Sequence, residues 1–297
     1  MKTSLPAAFS RLGHRLQSGD LHHTVGRFKA ARETYSFYQG CRQQLNAEFY
    51  KRRLTPRGQS FLTDVLPERC AQELQQQGVS FGLQLPPADI EAVYQFACET
   101  PCREPGFEDE FYAQAVENGR LTGDRPHLAH RRVFRGLVQN PGECPVIKKV
   151  AQDPTLLEIV HKYLRYWPSK VVPHLTWSFV SDLPVAQQKE LYPPLNYHYD
   201  VAGYNFMTAY FYITDIDKRC GPHVMIATSH NKKPKHTLFS SYAELDSEEQ
   251  MLDYYGKENK LVIEGKAGFG YVQDPSCFHR LVSPVKSRRL LLQIRYA

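Results

Sequence analysis

The two halves of the chain carry different patterns of apolar and polar positions. From about Leu21 to Tyr163 the pattern is mostly helical, and from about Val171 to the end short β-rich segments dominate. "PPADIEAVYQFACET" sets Ile90, Val93, Tyr94 and Ala97 on one stripe, which predicts a core-facing helix opened by prolines and Asp89. "QDPTLLEIVHKYL" predicts another, with Asp153 as N-cap and Pro154 at the first helical position. Its face of Leu156, Ile159, Val160 and Tyr163 packs inward, leaving His161 towards solvent. In the second half, "HLTWSFV", "MTAYFYIT", "HVMIAT", "KLVIEG", "FGYVQ" and "RRLLLQIRYA" are rich in β-branched and aromatic residues and bounded by Gly, Pro, Asp or Ser. Short strands in series, without helical crossovers between them, predict a mainly β protein: an antiparallel jelly-roll core with helices outside it. One polar segment, "SSYAELDSEEQMLDYYGKEN", predicts a helical insertion over one rim.

Bulk properties narrow the class. A chain of 297 residues can bury a sizeable core. No run approaches the roughly 18 apolar residues of a membrane span, and "MKTSLPAAFSRLGHRLQSGD" lacks the apolar core of a secretory signal. The seven cysteines are odd in number and scattered, which suits reduced thiols and a cytoplasmic location. The net charge of +6 comes from clusters such as "YKRRLTPRG", "HRRVFRG", "NKKPKH" and "VKSRR", which are separated along the chain. That spread fits a solvated surface better than a nucleic-acid face and leaves an anionic small molecule open as a partner.

Chemistry concentrates in "NYHYDVAGYNF". In a strand, residues i and i+2 share a face, so His198 and Asp200 project together while Tyr197, Tyr199 and Val201 project oppositely. With 12 histidines and 31 acidic residues, about one His-x-Asp/Glu arises by chance, so a third ligand is required. Two histidines and one carboxylate on one face of a metal leave three adjacent positions open, the arrangement of non-haem Fe(II) oxygenases. His279, in "GKAGFGYVQDPSCFHRLVSP", is expected at the end of a strand after a glycine-containing turn and supplies the candidate third ligand. Ten residues on comes Arg289, an arginine on a neighbouring strand able to clamp a carboxylate whose other end the metal holds.

These residues and their surroundings resemble the phytanoyl-CoA dioxygenase-like group of Fe(II)- and 2-oxoglutarate-dependent oxygenases. "LQQQGVSFGLQLPPADIEAVYQFA" is similar to the family's opening strand and capped helix, and "KVAQDPTLLEIVHKYLRYWPSKVVPHLTWSF" to its next helix and strand. "YFYITDIDKRCGPHVMIATSHNKKP" resembles the strand, Gly-turn and "GSH" segment, here Thr228-Ser229-His230. "GKAGFGYVQDPSCFHRLVSPVKSRRLLLQIRY" resembles the distal histidine and arginine strands. The likeness spans roughly residues 70 to 297, which implies an N-terminal helical extension over 1–70 and a double-stranded β-helix (cupin-like jelly roll) domain over 71–297. It implies His198, Asp200 and His279 as iron ligands and Arg289 as anchor of the 2-oxoglutarate C5-carboxylate, with Arg288 as the competing anchor. Arg289 is preferred because it shares a strand face with Leu291, Gln293 and Arg295, whereas Arg288 shares one with Leu290, Leu292, Ile294 and Tyr296. Two departures stand out: Tyr197 where the family often has Trp, and Thr228 in place of the "GSH" glycine.

What the resemblance implies is hydroxylation of an unactivated C–H of a small molecule, using O2 and releasing succinate and CO2. Asp200 occupies a position that halogenating relatives leave to a halide, so halogenation is disfavoured, whereas desaturation, epimerisation and ring closure stay open. The alternative reading is a non-catalytic cupin-like metal or small-molecule binder, which could keep the triad and would have no reason to keep Arg289. Tyr204, Asn205, Tyr212 and Cys277 are candidates to line the pocket. His230 is expected to be a structural hydrogen-bonding histidine, and His223 receives no role. His127 and His130, spaced i, i+3, lack an evident third ligand and are expected at the surface or in a substrate channel.

Overall fold

A computed structural model describes residues 25–46, 58–122, 131–239 and 247–297. His127, His130 and part of the polar insertion lie outside the described residues. The first half runs through helix α1 (Lys29–Leu45), helix α2 (Pro67–Gln77), strand β1 (Val79–Gln84) and helix α3 (Pro87–Glu99). Short strands β2 (Cys102–Arg103), β3 (Glu110–Phe111), β4 (Val116–Glu117), β5 (Arg120–Leu121) and β6 (Arg135–Val138) follow, then helices α4 (Pro145–Ala151) and α5 (Pro154–Leu164). The second half holds β7 (Val171–Ser178), α6 (Val185–Leu191), β8 (Met207–Tyr212), β9 (His223–Ile226), α7 (Lys235–Phe239) and α8 (Glu248–Tyr255). It closes with β10 (Lys260–Ile263), β11 (Phe269–Gln273), β12 (His279–Leu281) and β13 (Arg289–Tyr296).

An eight-stranded antiparallel sheet of order β1-β11-β8-β13-β7-β6-β2-β3 and a three-stranded antiparallel sheet of order β10-β9-β12 form the jelly roll. Four strands of the large sheet come from the half whose periodicity reads as helical. β2, β3 and β6 have only two to four residues each, too few for an alternation to show against the helices around them.

The strands' two faces have different fates. Leu290, Leu292, Ile294 and Tyr296 of β13, Leu175 and Trp177 of β7 and Met207, Ala209 and Phe211 of β8 pack into one core with Val93 of α3, Ile147 of α4 and Ile159 of α5. That is the outer, helix-covered face. Tyr210, Tyr212, Tyr271 and Leu291 point the other way, towards Met225 and Ile263 of the small sheet, and enclose the interior. The apolar stripes predicted for α3 and α5 are both seated on the outer core, and Asp153 caps α5 by accepting from the Leu156 amide at 3.0 Å. His161 corrects the expectation of exposure: it is half-buried, its ring stacked on Trp167 at 4.2 Å. In the insertion, α8 buries Met251 completely, and its Glu248 pairs with Arg280 of the small sheet at 2.9 Å.

Left-handed backbone at two turns bears on the site. Gly78 (φ +79°) ends α2 and starts β1, and a Cβ there would stand 2.3 Å from the Cys277 sulfur and 2.9 Å from His230 Nδ1. Gly78→Ala is therefore expected to destabilise the fold by about 2–4 kcal/mol through backbone strain and overpacking together, read as a lower urea midpoint at unchanged m-value. Thr228, standing where the family has glycine, keeps the glycine conformation at φ 65° and donates its amide to Gln77 at 2.9 Å.

Candidate metal centre

His198 and Asp200 do not lie in a regular strand, which corrects the expectation for this segment. His198 pairs with His279 through two backbone hydrogen bonds of 2.9 and 2.7 Å, and the Asp200 amide donates to Pro275 O at 2.9 Å. The extended backbone still alternates as expected, because Tyr197 packs on Val224, Ile226 and Phe278 on the far side of the small sheet. His279 opens β12 instead of ending a strand, since the loop from Asp274 to Phe278 separates it from β11.

Three side chains converge. His198, Asp200 and His279 each offer one ligand atom, and these atoms lie within 4.8 Å of one another. Both imidazoles are held by backbone carbonyls: His198 Nδ1 meets Asn196 O at 2.9 Å and His279 Nδ1 meets Cys277 O at 2.8 Å. A carbonyl accepts only, so Nδ1 carries the proton in each ring, and each Nε2 keeps its lone pair for a metal. Burial, then the neighbouring His198, pushes the His279 pKa down to about 4, so the ring is neutral at physiological pH. His279 is 5% exposed while Asp200 remains one-third exposed, so the cluster has a closed side and an open one.

The closed side ends at Arg289, which is 1% exposed. Its guanidinium donates to Gly221 O and, at 3.0 Å, to the Ser178 hydroxyl, while its Nε is buried without a partner. Arg288 takes the other face of the strand, donating to Ala113 O at 3.0 Å with its guanidinium 4.8 Å above the Trp177 ring. His223, to which the sequence assigned no role, stacks on His279 at 5.2 Å and lies 5.9 Å from Tyr271. Burial, then the proximity of the titrating His279 ring and the Arg289 charge, holds its pKa well below the usual histidine range. Both its ring nitrogens and the Tyr271 hydroxyl are buried and make no well-formed hydrogen bond, their nearest polar neighbours being Gln273 and Tyr212. Buried polar atoms in folded proteins are nearly always paired. Four unanswered atoms, on His223, Tyr271 and Arg289, are therefore what a chamber built around a small polar anion should contain.

The pocket candidates divide. Tyr212 lines the interior, its hydroxyl donating to Ile263 O at 2.7 Å and accepting from the His223 amide at 3.3 Å. Tyr204 and Asn205 turn towards α1, where Tyr204 stacks on Tyr35 at 4.9 Å and Asn205 donates to the Ser36 hydroxyl at 2.8 Å. The Cys277 thiol lies 3.3 Å from His230 Nδ1, and burial pushes its pKa up to about 12, the state of an inert thiol. His230 is structural, its Nε2 against Gln75 O at 3.1 Å.

One loop aims both ends of the cluster, since Pro275 O holds the Asp200 backbone and Cys277 O holds the His279 ring. That loop is pinned from outside. Asp274 accepts from Arg32 of α1 at 3.0 Å, from the Tyr163 hydroxyl at 2.6 Å and from the Ser276 amide at 2.8 Å. Arg32 also donates to Ser276 Oγ and His230 O, and Lys233 donates to Ser276 O. Burial alone would raise the Asp274 pKa, but the Arg32 charge and these hydrogen bonds hold it well below the usual carboxylate range. A depressed carboxylate contributes stability that is fully present above the unfolded-state pKa near ~4 and is lost as pH falls below it. Arg32→Met leaves Asp274 buried without its counter-charge and is expected to cost about 3–5 kcal/mol at pH 7. Urea melts should show the gap between wild type and variant shrinking as pH falls, because without Arg32 the buried Asp274 takes up its proton at a higher pH than in the wild-type fold.

No protein-family model matches the sequence, and no curated protein matches it. Among solved structures the chain is similar to SnoN, a non-heme alpha-ketoglutarate-dependent epimerase from nogalamycin biosynthesis, at 12% identity over 77% of this chain and 82% of that one, with a TM-score of 0.51. The same epimerase in complex with Fe3+, alpha-ketoglutarate and nogalamycin RO gives a TM-score of 0.52 at the same identity and coverage. At such identity the likeness shows the fold, the double-stranded β-helix. No helix among the described residues is long and apolar enough to cross a membrane.

Proposed function

We propose that the chain is an Fe(II)- and 2-oxoglutarate-dependent oxygenase of the phytanoyl-CoA dioxygenase-like group that hydroxylates an unactivated C–H of a small molecule. One observation carries the reading: three metal-ligand atoms and a fully buried guanidinium face the same interior, with unanswered polar atoms between them. His198, Asp200 and His279 would hold the metal. Arg289, with the Ser178 hydroxyl beside it, would hold the 2-oxoglutarate C5-carboxylate. Bound together, iron, 2-oxoglutarate and O2 supply the power to oxidise an unactivated C–H, with release of succinate and CO2.

The chain's own residues divide the remaining work. Backbone carbonyls fix the tautomer of both imidazoles, and Asp200 supplies the single carboxylate that leaves open positions for cosubstrates. Tyr212, Tyr271 and Met225 wall the closed side and keep bulk water from the cosubstrate. All seven cysteines are free thiols, in keeping with action in the cytoplasm. A binder would gain nothing from Arg289 buried behind a metal cluster, which favours the enzyme over the alternative. The test is Fe(II)-dependent conversion of 2-oxoglutarate to succinate with matching O2 uptake. The oxygenase reading expects both in wild type, and iron-loaded, folded protein that produces neither would contradict it.

A further inference from the structure

Along β13 the inward residues are Arg289, Leu291, Gln293 and Arg295. At about 3.3 Å per residue the two arginines stand about 20 Å apart along the strand, so they cannot serve the same carboxylate. Arg289 closes the buried end, and Arg295 lies at the open end, one-third exposed, with Nη2 3.6 Å from Asp200 Oδ2. That separation is too long for a hydrogen bond. Among the described residues the Arg295 guanidinium has only this ion pair and the face of Phe206 at 5.4 Å, and its Nε is buried without a partner. The unanswered groups continue inward from it. Thr208 stands opposite Arg295 on β8 and Gln273 opposite Thr208 on β11, both buried; the Thr208 hydroxyl lies near Tyr210 and the Gln273 amide near the His223 ring, and neither makes a well-formed hydrogen bond. His174, half-buried on β7 opposite Gln293, adds a polar ring whose pKa is lowered by burial and then by Arg295. The carboxylate nearest to Arg295 is Asp200, and a bound metal would take up its charge.

We propose that the substrate carries an oxyanion, a carboxylate or phosphate, which Arg295 receives on the open side of the metal site. This rests on the oxygenase reading and adds the substrate class to it. The row from Arg295 through Thr208 to Gln273 gives the oxyanion a cation at the rim and gives the adjoining part of the substrate a donor and acceptors deeper in. Holding the charged end there fixes which carbon of the substrate faces the metal, so Arg295 orients the substrate without taking part in the oxidation.

The experiment is calorimetry on protein loaded with Zn(II), which does not turn over, and saturated with 2-oxoglutarate. The probes are phenylacetate, phenyl phosphate and the neutral phenylacetamide. Wild type is expected to bind at least one of the anions ten-fold or more tightly than the amide. Arg295→Gln should lose at least ten-fold of that affinity, Arg295→Lys should recover part of it, and Arg288→Gln, on the outer face, should leave it unchanged. Affinity for 2-oxoglutarate should stay constant throughout, which also reports that each variant is folded. The proposal is overturned if neither anion outbinds the amide or if Arg295→Gln binds the anions like wild type. Failure of 2-oxoglutarate to bind metal-loaded wild type would instead sink the oxygenase reading beneath it.

Discussion

Asp200→Asn is expected to lower Fe(II) affinity by at least about 100-fold while leaving the fold intact. The substitution keeps the side chain's shape and removes the one negative charge among the three ligand groups. Loss of an outer partner of a ligand already costs about 10–100-fold in metal binding, and loss of a ligand's charge should cost no less. Asp200 and its ion-pair partner Arg295 are each one-third exposed and 3.6 Å apart, so losing that screened pair should change stability by less than about 1 kcal/mol. Calorimetric Fe(II) binding under anaerobic conditions, alongside thermal melts, separates the two effects. Metal binding at wild-type strength would remove Asp200 from the site.

Arg289→Gln is expected to raise the Kd for 2-oxoglutarate by on the order of 10²–10³-fold with Fe(II) binding nearly unchanged. Truncating one member of a buried, hydrogen-bonded charge pair costs about 2–5 kcal/mol, and each 1.4 kcal/mol is about ten-fold. Two of the guanidinium's five N–H donors are already taken by Gly221 O and Ser178, and the rest are free for a carboxylate. Arg288→Gln is the matched control, because that side chain donates to Ala113 O against Trp177, on the helix-covered face. Equal effects at the two positions would mean that neither arginine anchors the cosubstrate.

The opposite faces of these arginines were legible in the sequence because a strand's period of two assigns each to a face, and the interior proved to be the polar face of β13. The convergence of His198, Asp200 and His279 was legible through their residue types, yet the backbone around His198 was not. Its extended shape comes from pairing with His279, far along the chain, and no local alternation encodes that. Tyr204 and Asn205 show how closeness in sequence misleads: after Asp200 the chain turns at Gly203 (φ +93°) and delivers both residues to α1. His223 and Arg32 left no local trace. His223 looks like any residue after a Gly-Pro turn until β9 packs beside β12, and Arg32 reads as a solvated helix position until Asp274 meets it from 242 positions away. The short strands β2, β3 and β6 were hidden for a related reason, since pairing with the long β7 and with one another, more than their own sequence, makes them strands.

The central claim is that the three-ligand cluster and Arg289 hold iron and 2-oxoglutarate together in one chamber. It is tested most directly by titrating the metal-free protein anaerobically with Fe(II) and then 2-oxoglutarate, watching for the visible metal-to-ligand charge-transfer band of the chelate. The account predicts that the band appears in wild type, is absent in Asp200→Asn at matched Fe(II), and requires far more 2-oxoglutarate in Arg289→Gln. Folded wild-type protein that binds Fe(II) and gives no band at any 2-oxoglutarate concentration would contradict it.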